Sequence, residues 1–233
     1  MKSKILISTG GSGGHVIPAI TMHDHLKENY EILISSDIRG LKYLDDKFYK
    51  TLIIDTPKLN NFILLPLSIL KVIFLTLKSL ILLKKEEIQI LISTGGYMSL
   101  PLCIAARILN IKIYLLEPNM VIGRANKFFL KFCKKIICYA ENIIGFPKEY
   151  KYKLKITNPL IRKKYYNKKL KENDNKKFTL IIIGGSQGAQ IFDKILHQSI
   201  IKVSKIRSLK VIHQTNQKNI GVLKNLYLEN KID

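Results

Sequence analysis

The sequence predicts an α/β fold made of doubly wound parallel sheets, arranged as two domains of which the second is incomplete. Three observations predict it. Short apolar runs of strand length, Ile5–Ile7, Glu31–Ser35, Ile88–Ile92, Ile111–Leu116 and Ile136–Tyr139, alternate with stretches of helical length. The first and third of these runs end in paired glycines before a helix start, and Phe178–Ile183 repeats the arrangement much later. Between them, residues 145–177 lose apolar periodicity, are dominated by lysine and close on Asn173-Asp174-Asn175, as a linker does. The expected organisation is therefore a first domain over 1–144, a linker over 145–177 and the start of a second domain over 178–233. Helices interposed between successive strands make the sheet parallel and put binding sites at the strand C-termini.

The first unit carries the strongest chemical signal. Ile5–Ile7 runs into Gly10, Gly11, Ser12, Gly13 and Gly14, then His15 and Pro18. A strand that turns through glycines into a helix offers free backbone N–H groups at the positive end of a helix dipole. That is a cradle for a phosphate or diphosphate, with an imidazole at its edge. Pro18 is expected in the first helical turn, where its missing N–H costs nothing. A dinucleotide fingerprint matches only in part: Val16 stands where its last glycine belongs, although Asp37 sits where a ribose-binding acid would. The P-loop pattern fails, because no Gly-Lys-Ser/Thr follows.

Composition bounds the partners. Against 17 Asp+Glu stand 39 Lys+Arg, a net charge of +22, and 47% of the 233 residues are hydrophobic, enough for a sizeable core. The surplus suits polyanions or an anionic membrane surface; a lysine-rich coding bias with solvated side chains explains the same number. Cys103, Cys133 and Cys138 lie on apolar stretches without C-x-x-C or metal spacing, which reads as reduced core thiols in a cytosolic compartment. Met1-Lys-Ser-Lys leads straight into the first strand, and that apolar run is too short for a signal peptide. His23-Asp24-His25 sits on the first helix, where residues two apart do not share a face, a poor metal site.

Residues 62–83 are almost continuously apolar. Pro66 near the start, Lys71 and Lys78 seven apart on one face with Ser68 and Ser79 close by, and Lys84-Lys85 at the end argue against a membrane span. A helix packed on the sheet and touching lipid headgroups fits, as does an ordinary sheet-covering helix. The strand Ile88–Ile92 leads into Ser93-Thr94-Gly95-Gly96-Tyr97-Met98-Ser99-Leu100-Pro101; Ile111–Leu116 leads into Glu117-Pro118-Asn119, with Gly123 and Asn126 following. Phe178–Ile183 feeds Gly184-Gly185-Ser186-Gln187-Gly188-Ala189, a second phosphate-cradling unit, and Val211-Ile212-His213-Gln214-Thr215 ends the next strand.

Taken together these segments resemble the MurG family, the peptidoglycan N-acetylglucosaminyltransferases of GT-B fold with two Rossmann-like domains. Thr9–Ala19 is similar to the family's N-terminal signature. Gly95–Pro101 resembles G-G-Y-x-S-x-P; Glu117–Asn126 resembles E-Q-N-x-x-x-G-x-x-N with Pro118 in place of Gln. Asn158-Pro159-Leu160-Ile161-Arg162 resembles N-P-V-R with the arginine one residue late, and residues 184–189 and 213–215 resemble G-G-S-Q-G-A and H-Q-T/S. The matches run in order along essentially the whole chain.

The resemblance implies transfer of N-acetylglucosamine from UDP-N-acetylglucosamine to the undecaprenyl-diphosphate-linked muramyl pentapeptide, lipid I, giving lipid II. It also implies a peripheral position on the cytoplasmic side of the inner membrane, contact with that anionic surface, and no nucleic-acid partner. Ser12, Gly13 and Gly14 would hold the acceptor diphosphate. His15 would be either the general base or a hydrogen-bond donor to phosphate. Asn119 would meet sugar hydroxyls, and Ser186 and Arg162 would face the UDP diphosphate. No D-x-D triplet occurs, so no metal and no other cofactor is expected. A non-catalytic module that binds an undecaprenyl or nucleotide diphosphate, and an NAD-type enzyme, are the alternatives. Residues 178–233 fall short of the ~100–150 residues a doubly wound domain needs, so an incomplete donor site and weak UDP-N-acetylglucosamine binding are expected of this chain.

Overall fold

A computed structural model describes residues 2–45, 47–57, 65–166, 178–184 and 190–233. The chain divides into two compact units, Met1–Lys168 and Lys169–Asp233.

The first unit is a parallel sheet of β1 (Lys4–Ser8), β2 (Glu31–Ser36), β3 (Thr51–Ile53), β4 (Ile90–Ser93), β5 (Lys112–Glu117), β6 (Lys135–Cys138) and β7 (Leu154–Ile156), in the order β3-β2-β1-β4-β5-β6-β7. Between them run α1 (Gly13–Leu26), α2 (Ile38–Leu41), α3 (Leu65–Lys85), α4 (Leu100–Ile108) and α5 (Arg124–Phe129). The central strands read as unbroken apolar runs because both of their faces are covered. Leu6, Leu33, Leu91 and Leu115 join Leu102 and Phe129 on one side. Ile5, Ile7, Ile32 and Ile92 join Ala19 and Met22 of α1 on the other. The order reverses between β1 and β4, which makes the crevice beyond their C-terminal ends the topological switch point.

Three local expectations change. Residues 145–177, read as a linker, contribute β7 to the sheet beside β6. Pro18 is not in the first turn: the Ser12 carbonyl already accepts the His15 and Val16 amides at 3.0 and 3.1 Å, so α1 starts at Gly13 and Pro18 lies inside it. There the proline removes the N–H that would have reached the Gly14 carbonyl. On α3, Ser68 and Ser79 do not accompany the lysines; with Thr76 and Leu83 they form the buried face, while Lys71 and Lys78 are exposed. Thr76 and Ser79 satisfy their hydroxyls on the carbonyls of Val72 and Leu75, at 2.8 and 2.7 Å. Residues 62–64 of the expected helix lie outside the described residues.

The second unit pairs β8 (Phe178–Ile182) with β9 (Leu209–His213) in parallel, with α6 (Gln190–Ser204) and α7 (Ile220–Glu229). Ile182, Ile200, Leu209 and Ile232 form its core. Asp193 of α6 accepts from Thr215 and Asn219 at 2.7 and 2.6 Å, which ties the helix to the segment after β9.

Candidate functional site

At the switch point, Thr94 follows β4 and Thr9 follows β1, and the Thr94 hydroxyl donates to that of Thr9 at 2.9 Å. The next residues of each strand are glycines. Gly95 has φ +85°, and a Cβ there would stand 2.9 Å from Asn126 Nδ2, so the second loop closes only around glycine. His15 crosses the gap: its Nδ1 lies 2.7 Å from the Thr94 carbonyl. A carbonyl can only accept, so Nδ1 carries the proton and Nε2 keeps its lone pair. A Cβ placed on Gly96 would stand 3.8 Å from that Nε2.

His15 borders an open pocket of about 540 Å³, whose walls include Gly96 and Tyr97 of the second loop, Glu117 at the end of β5 and Asn119 just beyond it, and Arg124 and Phe128 of α5. Glu117 organises the wall. It is 2% exposed. Its Oε1 accepts from the backbone N–H and the Nδ2 of Asn119, at 3.2 and 3.0 Å. Its Oε2 accepts from the Gly123 amide and Asn126 Nδ2, at 2.8 and 3.0 Å. Four donors on one buried carboxylate fix the loop that presents Asn119, whose Oδ1 remains as an acceptor toward a ligand.

The first glycine loop lies on the other side of His15. Ser12 is the N-cap of α1 but its hydroxyl makes no capping bond. Among the described residues, the amides of Gly13 and Gly14 have no acceptor, as expected for the first turn of a helix. The Gly11 amide is taken: it donates to Asp37 Oδ1 at 2.7 Å. Asp37 also accepts from the Gly40 amide and from Arg39, and is fully buried. Burial opposes its ionisation, but the Gly11 amide, Arg39 and the Gly40 amide outweigh it and hold the carboxyl below its usual range. An acid so committed has no capacity for a ribose, which removes the main support of the dinucleotide alternative.

The expected site residues thus divide. His15 and Asn119 share the pocket, and Ser12, Gly13 and Gly14 adjoin it through His15. Arg162 does not line it. It precedes a short 3₁₀ turn, Lys163–Tyr165, packed beside the C-terminal half of α1. There His25 Nε2 donates to the Ile161 carbonyl at 3.0 Å and Lys163 pairs with Glu28 at 2.6 Å. Ten helical residues separate His25 from His15, about 15 Å along α1. Ser186 lies outside the described residues. Tyr97, Arg124 and Phe128 join the site only through the fold, as does the organising role of Glu117. An acid at the C-terminal end of a buried strand was the available signal.

The glycosyltransferase family 28 N-terminal domain matches residues 5–138. The chain belongs to glycosyltransferase family 28. Among family-28 proteins it is similar to the UDP-N-acetylglucosamine–N-acetylmuramyl-(pentapeptide) pyrophosphoryl-undecaprenol N-acetylglucosamine transferase of Pelagibacter ubique. The two are 49% identical over 233 residues, all of this chain and 65% of the relative. The protein of the same description from Rickettsia canadensis is 32% identical over 234 residues, 97% of this chain and 65% of the relative. The crystal structure of Acinetobacter baumannii MurG superposes with a TM-score of 0.74 at 22% identity, over 98% of this chain and 65% of that one. The family-28 chain described here therefore has the GT-B type of α/β fold, with its second doubly wound part incomplete, and spans 65% of the length of these relatives.

Proposed function

We propose that the chain serves the transfer of N-acetylglucosamine from UDP-N-acetylglucosamine to a muramyl sugar carried on undecaprenyl diphosphate, the reaction named for its relatives. The observation that carries this reading is the His15–Thr94 hydrogen bond, which fixes the imidazole tautomer with Nε2 toward the pocket. An acceptor hydroxyl in that pocket gives its proton to Nε2 as its oxygen attacks the anomeric carbon of the donor sugar, and UDP departs with the bonding electron pair. The imidazolium so formed is stabilised by the carbonyl already accepting at Nδ1. Asn119, held by Glu117, positions sugar hydroxyls. Ser12 and the Gly13 and Gly14 amides bind the acceptor's diphosphate. Ser186 is proposed for the UDP diphosphate, in keeping with the motif in which it stands.

The acceptor is lipid-linked, so a membrane-facing surface belongs to the same proposal. An 18-residue stretch of α3 has a mean hydropathy of 2.0, and the helix is long and apolar enough to cross a membrane by length and composition. It turns its apolar residues outward: Ile73 and Phe74 are 52% and 54% exposed, and Leu67, Leu70, Leu77 and Ile81 share their condition. Lys71 and Lys78 interrupt that face, which suits a helix lying in the headgroup region of an anionic leaflet. The proposed location is the cytoplasmic side of the inner membrane.

The deciding experiment is turnover with radiolabelled UDP-N-acetylglucosamine and a polyprenyl-diphosphate muramyl acceptor, with a full-length relative as reference. Label appearing in the lipid product supports the reading. Absence of acceptor-dependent product even when the relative's C-terminal segment is supplied, at enzyme levels where the relative is active, refutes it.

A further inference from the structure

Arg39 stands between the two glycine loops and takes no part in the chemistry derived so far. Its Nε donates to Asp37 Oδ2 at 2.9 Å and one Nη2 hydrogen reaches the same oxygen. The Asp37 side chain is 0% exposed while that of Arg39 is 42% exposed. The guanidinium lies 5.2 Å above the Tyr97 ring, which itself lines the pocket. A Cβ on Gly11, whose φ is +77°, would stand 3.6 Å from Arg39 Nη2. The cation is therefore packed against the first glycine loop from one side and the second loop from the other.

We infer that Arg39 is a further binding residue of this site, donating to an oxygen of a diphosphate seated at the first glycine loop. The inference rests on the diphosphate reading of that loop given above. Asp37 occupies the Nε–Nη2 edge of the guanidinium. The guanidinium also hydrogen-bonds the Tyr97 side chain, and its exposed part still offers charge-assisted N–H donors to a phosphate oxygen. The usual cost of recruiting an arginine is ordering its long side chain. Here that ordering already exists, because a buried carboxylate and an aromatic face hold the group. Asp37 does a second job at the same place: by accepting the Gly11 amide it fixes the loop that the phosphate would sit on. One buried acid thus sets both the backbone cradle and the cation beside it.

The test is calorimetric titration of the 233-residue chain with two probes, inorganic pyrophosphate and farnesyl diphosphate, at a temperature well below the melting point of every variant. The parent is expected to bind both. Arg39→Ala is expected to weaken both by about tenfold or more, the scale of a lost charge-assisted pair. Arg39→Lys, which keeps the charge but not the fork, is expected to fall in between. Lys42→Gln removes a nearby exposed charge and is expected to bind within about twofold of the parent, so that loss of charge in general is not the cause. Arg39→Ala binding as tightly as the parent overturns the role of Arg39 while leaving the diphosphate reading in place. A parent that binds neither probe overturns both.

Discussion

His15 donates from Nδ1 to the carbonyl of Thr94, 2.7 Å away and 79 residues later in the chain. The bond joins the first turn of the helix that follows β1 to the first residue beyond β4, the two strands between which the sheet order reverses. It converts a histidine that follows a glycine loop into an imidazole of defined tautomer with one basic nitrogen at a pocket. The alternative role, donation to phosphate from Nε2, would require the protonated ring, since the neutral ring has its proton at Nδ1.

From this geometry His15→Ala should lower turnover by about 10²–10⁴-fold, the usual contribution of a positioned acid–base group. The side chain, in the first turn of α1, is only partly buried, so the melting temperature should change little. Turnover within a few-fold of the parent, measured with labelled donor sugar, rules out proton transfer by this residue.

Glu117→Gln should be costly for a reason unrelated to proton transfer. The carboxylate accepts four hydrogen bonds, two at each oxygen. An amide keeps one accepting oxygen and turns donors toward the other pair, leaving buried donors unmet at ~1–3 kcal/mol each. Chemical denaturation should show a loss on the order of 2–4 kcal/mol. A variant as stable as the parent would contradict the organising role assigned to this acid.

Much of the architecture was legible in the sequence, and the omissions share a physical cause. β1, β4 and β5 are covered on both faces and therefore appear as apolar runs. β3 and β7 are three-residue edge strands with one partner each, so Thr51-Leu52-Ile53 and Leu154-Lys155-Ile156 carry no such run. His15 and Asn119 were visible because each follows a strand end in a motif. Asp37 was visible only as a possible ribose-binding acid; its contact with Gly11 across 26 residues, and the place of Arg39 beside it, are encoded by no local spacing. The direction α3 faces was hidden for a similar reason: composition identifies the helix, but only its packing beside α4 decides that Ser68, Thr76 and Ser79 turn inward.

Asp37 also makes a pH prediction. Its carboxyl is held below the ordinary value, burial being outweighed by the Gly11 amide, Arg39 and the Gly40 amide. A depressed folded-state value means that the stabilisation is complete above the unfolded value of about 3.9 and is lost as pH falls from there through the lower folded value. Asp37→Asn should therefore cost on the order of 2 kcal/mol near pH 6, and the gap between parent and variant should narrow below about pH 4. Urea melts at pH 6 and pH 3 measure both. A gap that does not change between them would show that ionised Asp37 contributes nothing.

Membrane binding is the last expected behaviour, and α3 allows it to be separated from folding. Its outward residues are already in water, so replacing Ile73, Phe74 and Leu77 by Ser removes apolar surface without opening a core cavity. Vesicle sedimentation should show at least about tenfold weaker binding, since each side chain withdrawn from lipid forfeits ~1 kcal/mol or more. Urea stability should stay within about 0.5 kcal/mol of the parent. Replacing Lys71, Lys78, Lys84 and Lys85 by Gln acts on a different contribution. Binding to vesicles containing phosphatidylglycerol should fall, and its sensitivity to salt should lessen, because exposed charges are screened over about 8 Å at 0.15 M ionic strength. Binding to purely zwitterionic vesicles should change much less. If the serine variant binds as the parent does, α3 is a sheet-covering helix that merely happens to be apolar on its outer side. If only the lysine variant is unchanged, insertion of the apolar face alone accounts for attachment and the basic residues are solvated bystanders.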